Sequence, residues 1–440
     1  MDDTLSADAG IARAAPRGPG RGAAIGLIAL ALFTGTAARY VLSPMQELVK
    51  ADLGLGDNQV ALLQGMALAL PAALLSIVAG RLVDRSNRSR LLVCLALLCT
   101  AGSVLGALAR DFPTAFVARM MVGAAVAAAQ PAALSLVADL TRPEVRGRMV
   151  TLLSLGQALG STMAFVLAGA LLAWLPAALP PGALAALAPW RLVQLAFAAV
   201  VLASAFALLL MREPARREGG ADGDGKLGEA LRALWGYRRF LLPLAGGMVT
   251  IGMADAAAAI WAVPILTRNF HQAPADFGTW MGMLNLGSGV IGAVLGGVSA
   301  DLGQRKWGHG GALSGAVIGA VLSIPAALFA VVPGVWWFAG LLALLLTCGA
   351  CANIAATSAI MVVLPNRLRG TCLSLLVAAI ALVAFGIAPL LVSLSAHATA
   401  GGTDLTVPLA WVGVITSILA SAAFVHAMRA ARHLTDTEPT

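Results

Sequence analysis

Charged and aromatic residues are scarce in this chain, and their scarcity excludes several classes of protein. Of its 440 residues, 11% are charged and 5% are aromatic, while 59% are hydrophobic. A soluble protein of this length has no interior large enough to hide so much apolar surface, so the composition indicates a membrane protein. Nucleic-acid grooves need clustered basic residues and stacking aromatic rings, and apolar segments this poor in both do not provide one.

Residues that form disulfides, bind metals or hold nucleotides are equally sparse. The five cysteines lie within apolar segments, which argues against a disulfide framework, and Cys348-x-x-Cys351 is interpreted as helix packing. The five histidines fall near segment ends or in tails and form no metal-ligand pattern. No Gly-x-x-x-x-Gly-Lys-Ser/Thr loop is present, so direct coupling to ATP is not supported. We therefore expect no cofactor and no metal site.

Long apolar stretches are abundant, and each is long enough for a helix that crosses ~30 Å of hydrocarbon. Twelve are found, at 23–45, 59–80, 90–109, 114–138, 149–175, 190–211, 240–262, 276–299, 312–332, 335–363, 371–395 and 406–430. The sequence predicts an all-α membrane protein with twelve transmembrane helices in two pseudo-symmetric six-helix bundles. Its expected parts are a cytoplasmic tail at 1–22, an N-terminal bundle at 23–211, a basic linker at 212–239, a C-terminal bundle at 240–430 and a second tail at 431–440.

Basic residues cluster in alternate loops of this arrangement. One side carries the linker and most of the arginines, while the other holds little more than Lys50, Arg110, Arg191 and Arg268. Because basic loops stay on the cytoplasmic side, the asymmetry predicts that both termini are cytoplasmic. The expected location is a bacterial-type inner (plasma) membrane.

A short polar motif occurs twice, about half a chain apart. Both copies read Gly-x-x-x-Asp with a basic residue four positions after the acid, and their defining residues are Gly80, Asp84, Arg85 and Arg88, then Gly297, Asp301 and Arg305. A carboxylate at a helix end pairs with the positive end of a neighbouring helix or with arginines, so we interpret both copies as a gate. The alternative is that these charges only prevent the helices from sliding in the membrane.

Few polar residues are predicted at membrane depth. Arg39 and Asp255 occupy similar depths in the first helix of each half, and a charge there is costly unless it faces a cavity or a partner. They form either an ion pair that breaks in one state or two separately satisfied charges. Further candidates for a central cavity are Tyr40, Gln64, Arg119, Gln130, Gln157, Asn285 and Asn353, although an uncharged polar residue of this kind more often serves as a contact between helices. So few hydrogen-bonding groups suit an amphiphile or an uncharged aromatic compound better than a sugar.

The loop from Gly80 to Arg90 resembles the signature of the major facilitator superfamily, and Gly297 to Arg305 resembles its weaker second copy. The start of the chain is similar to bacterial spinster-like members, in the runs Arg39 to Pro44, Lys50 to Leu55 and Ala118 to Pro131. The resemblance implies two six-helix bundles, a central cavity and alternating access. Ala38 and Val126 replace two acids that the family pattern leads us to expect, so the usual proton carriers of the first half are missing.

Together, the sequence features and the family resemblance predict a secondary active transporter and not an enzyme. The transporter is expected to move a small organic or amphiphilic solute by alternating access, with proton symport or antiport. The alternatives are a facilitative uniporter, a lysolipid transporter of the spinster type and a membrane-embedded enzyme. An enzyme is expected to gather acids, bases and nucleophiles at one depth, and only Arg39 and Asp255 lie there. The expected partners are membrane lipids and a small-molecule or lipid-like substrate, without nucleic acid, for a monomeric chain.

Overall fold

The computed structural model describes residues 20–178, 187–214, 227–400 and 404–435. Within these ranges the chain is helical and has no strand, and twelve helices are long and apolar enough to cross a membrane. The predicted all-α fold with twelve spanning helices is therefore confirmed. Several helices begin or end beyond the predicted limits. The fifth, for example, begins at Pro143 instead of residue 149, because proline is well accommodated in the first turn of a helix.

The first half contains six spanning helices. They are α1 (Arg21–Tyr40), α2 (consecutive pieces Asp57–Ala61, Leu62–Met66 and Ala67–Arg85), α3 (Arg88–Leu108), α4 (Phe112–Leu140), α5 (Pro143–Ala178) and α6 (Pro189–Leu208). Beyond α1, a 3₁₀ turn at Ser43–Met45 and a short helix at Gln46–Asp52 lead to α2.

The second half repeats this order after a short helix at Leu227–Gly236. Its spanning helices are α7 (Arg238–Arg268), α8 (Pro274–Trp307), α9 (Ser314–Ala326, flanked by 3₁₀ turns), α10 (Val335–Val363), α11 (consecutive pieces Asn366–Ala379, Ile380–Ile387 and Ala388–Ala400) and α12 (Thr406–Thr435). We call the membrane face where α1 begins and α12 ends the tail face, and the opposite face the distal face.

Helix α2 of the first half and helix α11 of the second each contain a π-helical segment, at Leu62–Met66 and Ile380–Ile387. These two segments lie against each other, so the halves meet there. A Cβ at position 65 would lie 2.4 Å from the carbonyl oxygen of Phe385, and only glycine permits this approach. Because π-helical turns are concentrated at functional sites, their contact at the boundary between the halves favours a functional role for this boundary.

The halves also meet where α5 packs on α8. The carbonyl oxygens of Thr162 and Phe165 on α5 face Gly282 and Gly278 on α8, so the two backbones lie close together. With α2 on α11 and α5 on α8 forming the two seams, the space between them is lined by α1, α4 and α5 from the first half and by α7, α8, α10 and α11 from the second.

Candidate functional site

Two adjoining cavities lie at the centre of the molecule. The first, about 340 Å³, is formed by the first half alone and is lined by Thr36, Arg39, Tyr40, Val126, Ala127, Gln130, Ser154, Gln157, Ala158 and Ser161. We call it the arginine pocket. The second, about 210 Å³, lies between the halves and is lined by Tyr40, Ser43, Ser161, Phe165, Asp255, Ala259, Met281, Asn285, Leu342, Leu346 and Phe385. We call it the aspartate pocket. Tyr40 and Ser161 line both pockets, so the two are neighbours.

Arg39 extends into the arginine pocket from the last turn of α1. Its guanidinium lies 5.5 Å from the centre of the Tyr40 ring, and its buried Nε has no hydrogen-bond partner. Among the described residues, no carboxylate lies within ion-pair distance of Arg39. The pocket therefore contains a cation whose counter-charge the described part of the chain does not supply.

Asp255 lies at the middle of α7 and lines the aspartate pocket. Its Oδ1 is buried and has no hydrogen-bond partner. The carboxyl packs against Gly349 of α10, where a Cβ would lie 2.0 Å from Oδ2, so only glycine leaves room for it. Arg39 and Asp255 form no ion pair in this conformation, and each one borders a pocket of its own. Of the two interpretations of these charges, the separate arrangement is the one present here.

A chain of buried side chains runs from α4 to the second half. Arg119 donates from Nη1 to the carbonyl of Arg39 at 2.9 Å and from Nη2 to Oε1 of Gln64 at 2.5 Å. Gln64 donates to Oε1 of Gln46 at 3.1 Å, and Gln46 donates to the carbonyl oxygen of Ile260 on α7 at 2.7 Å. Gln64 and Arg119 are not among the residues that line the two pockets. They are buried and form part of this series of hydrogen bonds instead.

Proline explains why Ile260 accepts this bond. In an α-helix the carbonyl of residue 260 accepts from the N–H of residue 264, and Pro264 has no N–H. The carbonyl thus needs another donor, and Gln46 provides it from the other half. Sequence reasoning missed Gln46, although a proline within an apolar helix was an available sign of a carbonyl seeking a partner.

The hydrogen bond from Gln46 to the Ile260 carbonyl is tested by removing its donor. Replacing Gln46 by leucine keeps the size of the side chain but leaves the Ile260 carbonyl without its donor, and an unmet buried group of this kind costs about 1 kcal/mol or more. We expect backbone hydrogen exchange in the segment 46–52 to become roughly fivefold faster. Gln304→Leu, near the tail-face end of α8, is the control. Unchanged exchange in the Gln46→Leu variant would contradict the assignment.

A cluster of charges joins the halves at the distal face. Arg268, at the end of α7, donates to both oxygens of Glu47 at 2.8 and 2.9 Å and to both oxygens of Asp57 at 2.7 and 3.0 Å. Lys50 also pairs with Asp57. Because the acids belong to the first half and Arg268 to the second, the cluster joins the two halves at this face. In the sequence, Lys50 and Arg268 stand out only as loop charges, so the cluster was not predicted.

A second pair of opposite charges at the distal face stays within the first half. Arg191, at the start of α6, pairs with Asp52 at 2.8 Å and donates to the carbonyl of Ala107 at 2.8 Å. The indole of Trp190 donates to the same carboxylate at 3.1 Å. These contacts fix the end of the connection between α1 and α2 against the rest of the first half.

At the tail face, the first copy of the motif contributes a buried arginine. Arg88 pairs with Asp139 at the end of α4 and with Glu213 after α6, at 2.8 Å for the latter. Glu213 also accepts from the backbone N–H of Ser89 at 2.8 Å. Burial alone raises the pKa of Glu213, but the hydrogen bonds from Ser89 and Arg88 outweigh it and hold the pKa below its usual value. The side chains of Gly80, Asp84 and Arg85 lie outside the described residues, so their gating role stays a prediction.

The second copy of the motif is arranged differently. Asp301 and Arg305 are exposed at the tail-face end of α8, and within the described chain neither forms an ion pair or a side-chain hydrogen bond. Gly297 has open space where a side chain would be. Of the remaining candidates, Asn285 lines the aspartate pocket, while Asn353 donates to the carbonyl of Gly349 within its own helix.

Two helical halves around a central polar cavity form the architecture of a membrane carrier protein. A model of the Major Facilitator Superfamily matches residues 28–389, and the chain belongs to this family. The fold is also similar to a bacterial homologue of the human lysosomal transporter Spinster, solved in an inward-facing, unoccupied conformation. That match has a TM-score of 0.80 and 20% identity, and it covers 96% of this chain and 98% of that one. The predicted superfamily is thereby confirmed, and the likeness to the bacterial Spinster homologue is one of fold.

Two curated relatives match shorter stretches. The chain is 39% identical over 107 residues to the 3-(3-hydroxy-phenyl)propionate transporter of Escherichia coli (strain K12), which is 24% of this chain and 26% of that protein. It is 32% identical over 153 residues to a triacylglyceride transporter of Mycolicibacterium hassiacum, which is 34% of this chain and 28% of that protein. The matched stretches thus span little more than a quarter of either relative.

Proposed function

We propose that the chain is a secondary transporter that moves a small amphiphilic organic solute across the membrane by alternating access, coupled to protons. The observation that carries the proposal is the aspartate pocket, because both halves contribute its walls and Asp255, at the middle of α7, borders it. A solute bound there contacts Tyr40 and Ser161 from one half and Asp255 and Asn285 from the other. Rocking of the halves exposes such a site to each side in turn.

The distribution of polar contacts supports alternating access. Side-chain hydrogen bonds join the halves at the distal face, where the connection between α1 and α2, together with Asp57 at the start of α2, binds α7. The Arg88 cluster at the tail face lies entirely within the first half. We infer that this conformation is closed at the distal face, and that transport requires the contacts of Arg268 and Gln46 to break.

Asp255 is the group that we propose to carry the proton. It is a carboxylate at mid-depth, it borders the solute pocket, and it has no basic partner among the described residues. Protonation removes a charge that is costly at this depth, so it changes which conformation is favoured. The two curated relatives, named as transporters of an aromatic acid and of a triacylglyceride, support an amphiphilic solute. We also propose that the chain is monomeric, catalyses no reaction and has both termini in the cytoplasm.

Transport in proteoliposomes tests the proposal. The purified protein is reconstituted and supplied with 3-(3-hydroxyphenyl)propionate or with a lysophospholipid, each with and without a pH gradient. We expect accumulation of at least one probe above its outside concentration when the gradient is present. Equilibration without accumulation would favour the facilitative alternative, and the absence of movement of both probes would contradict the proposed transport.

Asp255→Asn is the variant that isolates coupling. Asparagine has the shape of aspartate but does not titrate. We therefore expect the stimulation of transport by the pH gradient to fall at least tenfold, while exchange of labelled for unlabelled solute continues. Glu229→Gln, on the exposed helix Leu227–Gly236, is the matched control and is expected to keep the stimulation. Full stimulation in the Asp255→Asn variant would show that protons travel elsewhere.

A further inference from the structure

We propose that the arginine pocket binds a carboxylate group, and that the substrate is a small amphiphilic organic anion whose apolar body occupies the aspartate pocket. The inference rests on the proposed transport function and specifies its substrate class. The two pockets differ in charge, in hydrogen-bonding groups and in shape.

The charge comes from two arginines. Arg39 lines the pocket, and Arg119 lies directly behind it, where it donates to the Arg39 carbonyl. The hydrogen bonds of Arg119 go to neutral oxygens, and both arginines have a buried Nε without a partner. Two guanidinium groups at membrane depth without an opposing charge are unfavourable. A bound anion supplies that charge, and a planar carboxylate matches the geometry of a guanidinium.

The acids of the first half that the structure describes are engaged elsewhere. Glu47 and Asp57 bind Arg268, Asp52 binds Arg191, and Asp139 binds Arg88. Asp111 caps α4 by accepting from the backbone of Thr114. None of these described carboxylates is placed to neutralise the arginine pocket, and Asp255 borders the other pocket, so we infer that the ligand supplies the counter-charge.

Neutral polar groups complete the head-group site. Gln130 and Gln157 line the same pocket as Arg39, and within the described structure their amides make no hydrogen bond to protein. Each amide offers N–H donors for the second oxygen of a carboxylate. A site of this kind distinguishes an acid from its neutral amide, because only the acid forms charge-assisted hydrogen bonds.

The apolar part of the ligand has a separate compartment. Five of the residues that line the aspartate pocket are large and apolar, namely Phe165, Met281, Leu342, Leu346 and Phe385. Since Tyr40 and Ser161 line both pockets, one molecule extends from Arg39 into this compartment. Volumes of about 340 and 210 Å³ suit a head group and a single ring or a short chain, rather than a long-chain lipid.

Binding to the purified protein in detergent tests this inference without a gradient or transport. The probes are 3-phenylpropionate, its neutral amide, and lysophosphatidic acid, measured by titration calorimetry. We expect the acid to bind about tenfold or more tightly than the amide in the unaltered protein. In Arg39→Gln this preference is expected to vanish, and in Arg39→Lys it is expected to persist in part. Arg110→Gln, on the exposed loop before α4, is the control and keeps the full preference.

The outcomes separate this inference from the proposed function. Equal affinities for the acid and the amide in the unaltered protein overturn it, even where an Arg39 variant does not fold. An unchanged preference in Arg39→Gln also overturns it. Tighter binding of lysophosphatidic acid than of 3-phenylpropionate overturns the small-acid class in favour of a lysolipid. Acid-selective binding without movement in proteoliposomes contradicts transport alone, whereas movement restricted to neutral solutes contradicts only the anion site.

Discussion

Arg268→Gln is expected to open the distal face. One guanidinium holds two carboxylates of the opposite half, Glu47 and Asp57, through hydrogen bonds of 2.7 to 3.0 Å. Without it the two acids face each other with only Lys50 nearby, and their repulsion disfavours closure. Breaking such a partly buried cluster costs about 3 kcal/mol, which shifts the balance between closed and open forms roughly a hundredfold.

Cysteine labelling measures this shift. Ser43 is buried, lines the aspartate pocket and lies between α1 and the distal charges, so a cysteine there reacts with an impermeant maleimide only when the distal face opens. The substitution is made in a protein whose five native cysteines have been replaced. We expect Arg268→Gln to accelerate labelling of Ser43→Cys by more than tenfold.

Arg191→Gln is the matched control for Arg268→Gln. Arg191 also lies at the distal face and also binds an acid of the same connection, Asp52, but both residues belong to the first half. Its loss is therefore not expected to open the path between the halves. Equal labelling of Ser43→Cys in the Arg268→Gln protein and in its parent would show that the cluster does not control access.

The fold was predictable from the sequence because bilayer thickness imposes one simple pattern. Each spanning helix needs about 20 apolar residues, so segments such as 90–109 stand out and are observed as Arg88–Leu108. The helix limits were less predictable. The run beyond Tyr40 continues through a 3₁₀ turn and a short helix, because Pro44 is accommodated in the first turn of a new helical segment.

The site was only partly predictable, because a polar side chain in a membrane helix can face a cavity or can form hydrogen bonds to a neighbouring helix. Arg39, Gln130 and Asn285 line the pockets, whereas Gln64 and Arg119 bind neighbouring helices instead. The choice depends on how each helix is rotated about its axis, and an apolar stretch with little periodicity does not encode that rotation. The distal cluster was hidden for another reason, since Arg268 lies more than 200 residues from Glu47 and Asp57 and only the fold brings them together.

The two copies of the duplicated motif also illustrate this limit. Arg88 and Arg305 occupy the same position of the motif, so the sequence treats them alike. In the structure, Arg88 is 3% exposed and binds two acids, whereas Arg305 is exposed and has no acidic partner in the described chain. The difference arises from the surroundings, because Asp139 and Glu213 converge on the first copy.

Arg88→Ala is therefore expected to destabilise the protein strongly, and Arg305→Ala is not. Removing the guanidinium leaves Asp139 and Glu213 close together without the cation that they share, and loss of one partner from a buried pair typically costs 3–5 kcal/mol. Exposed Arg305 has no such contact, so its replacement is expected to change stability by less than about 0.5 kcal/mol. Thermal unfolding in detergent at pH 7 compares the two variants, and Arg88→Lys serves where Arg88→Ala yields no folded protein.

The pH dependence of stability provides an independent check on the contact between Arg88 and Glu213. A carboxylate whose pKa is lowered by folding contributes stability above its unfolded pKa and loses that contribution as the pH falls through the lowered value. For Glu213 the loss thus falls below the usual range of a glutamate. The unaltered protein is expected to keep the contact at pH 5, so Arg88→Ala remains the less stable variant there as well as at pH 7. Equal melting of Arg88→Ala and Arg305→Ala at both values would mean that the buried cluster contributes no net stability, and that Arg88 serves only to bring α3, α4 and the segment after α6 together.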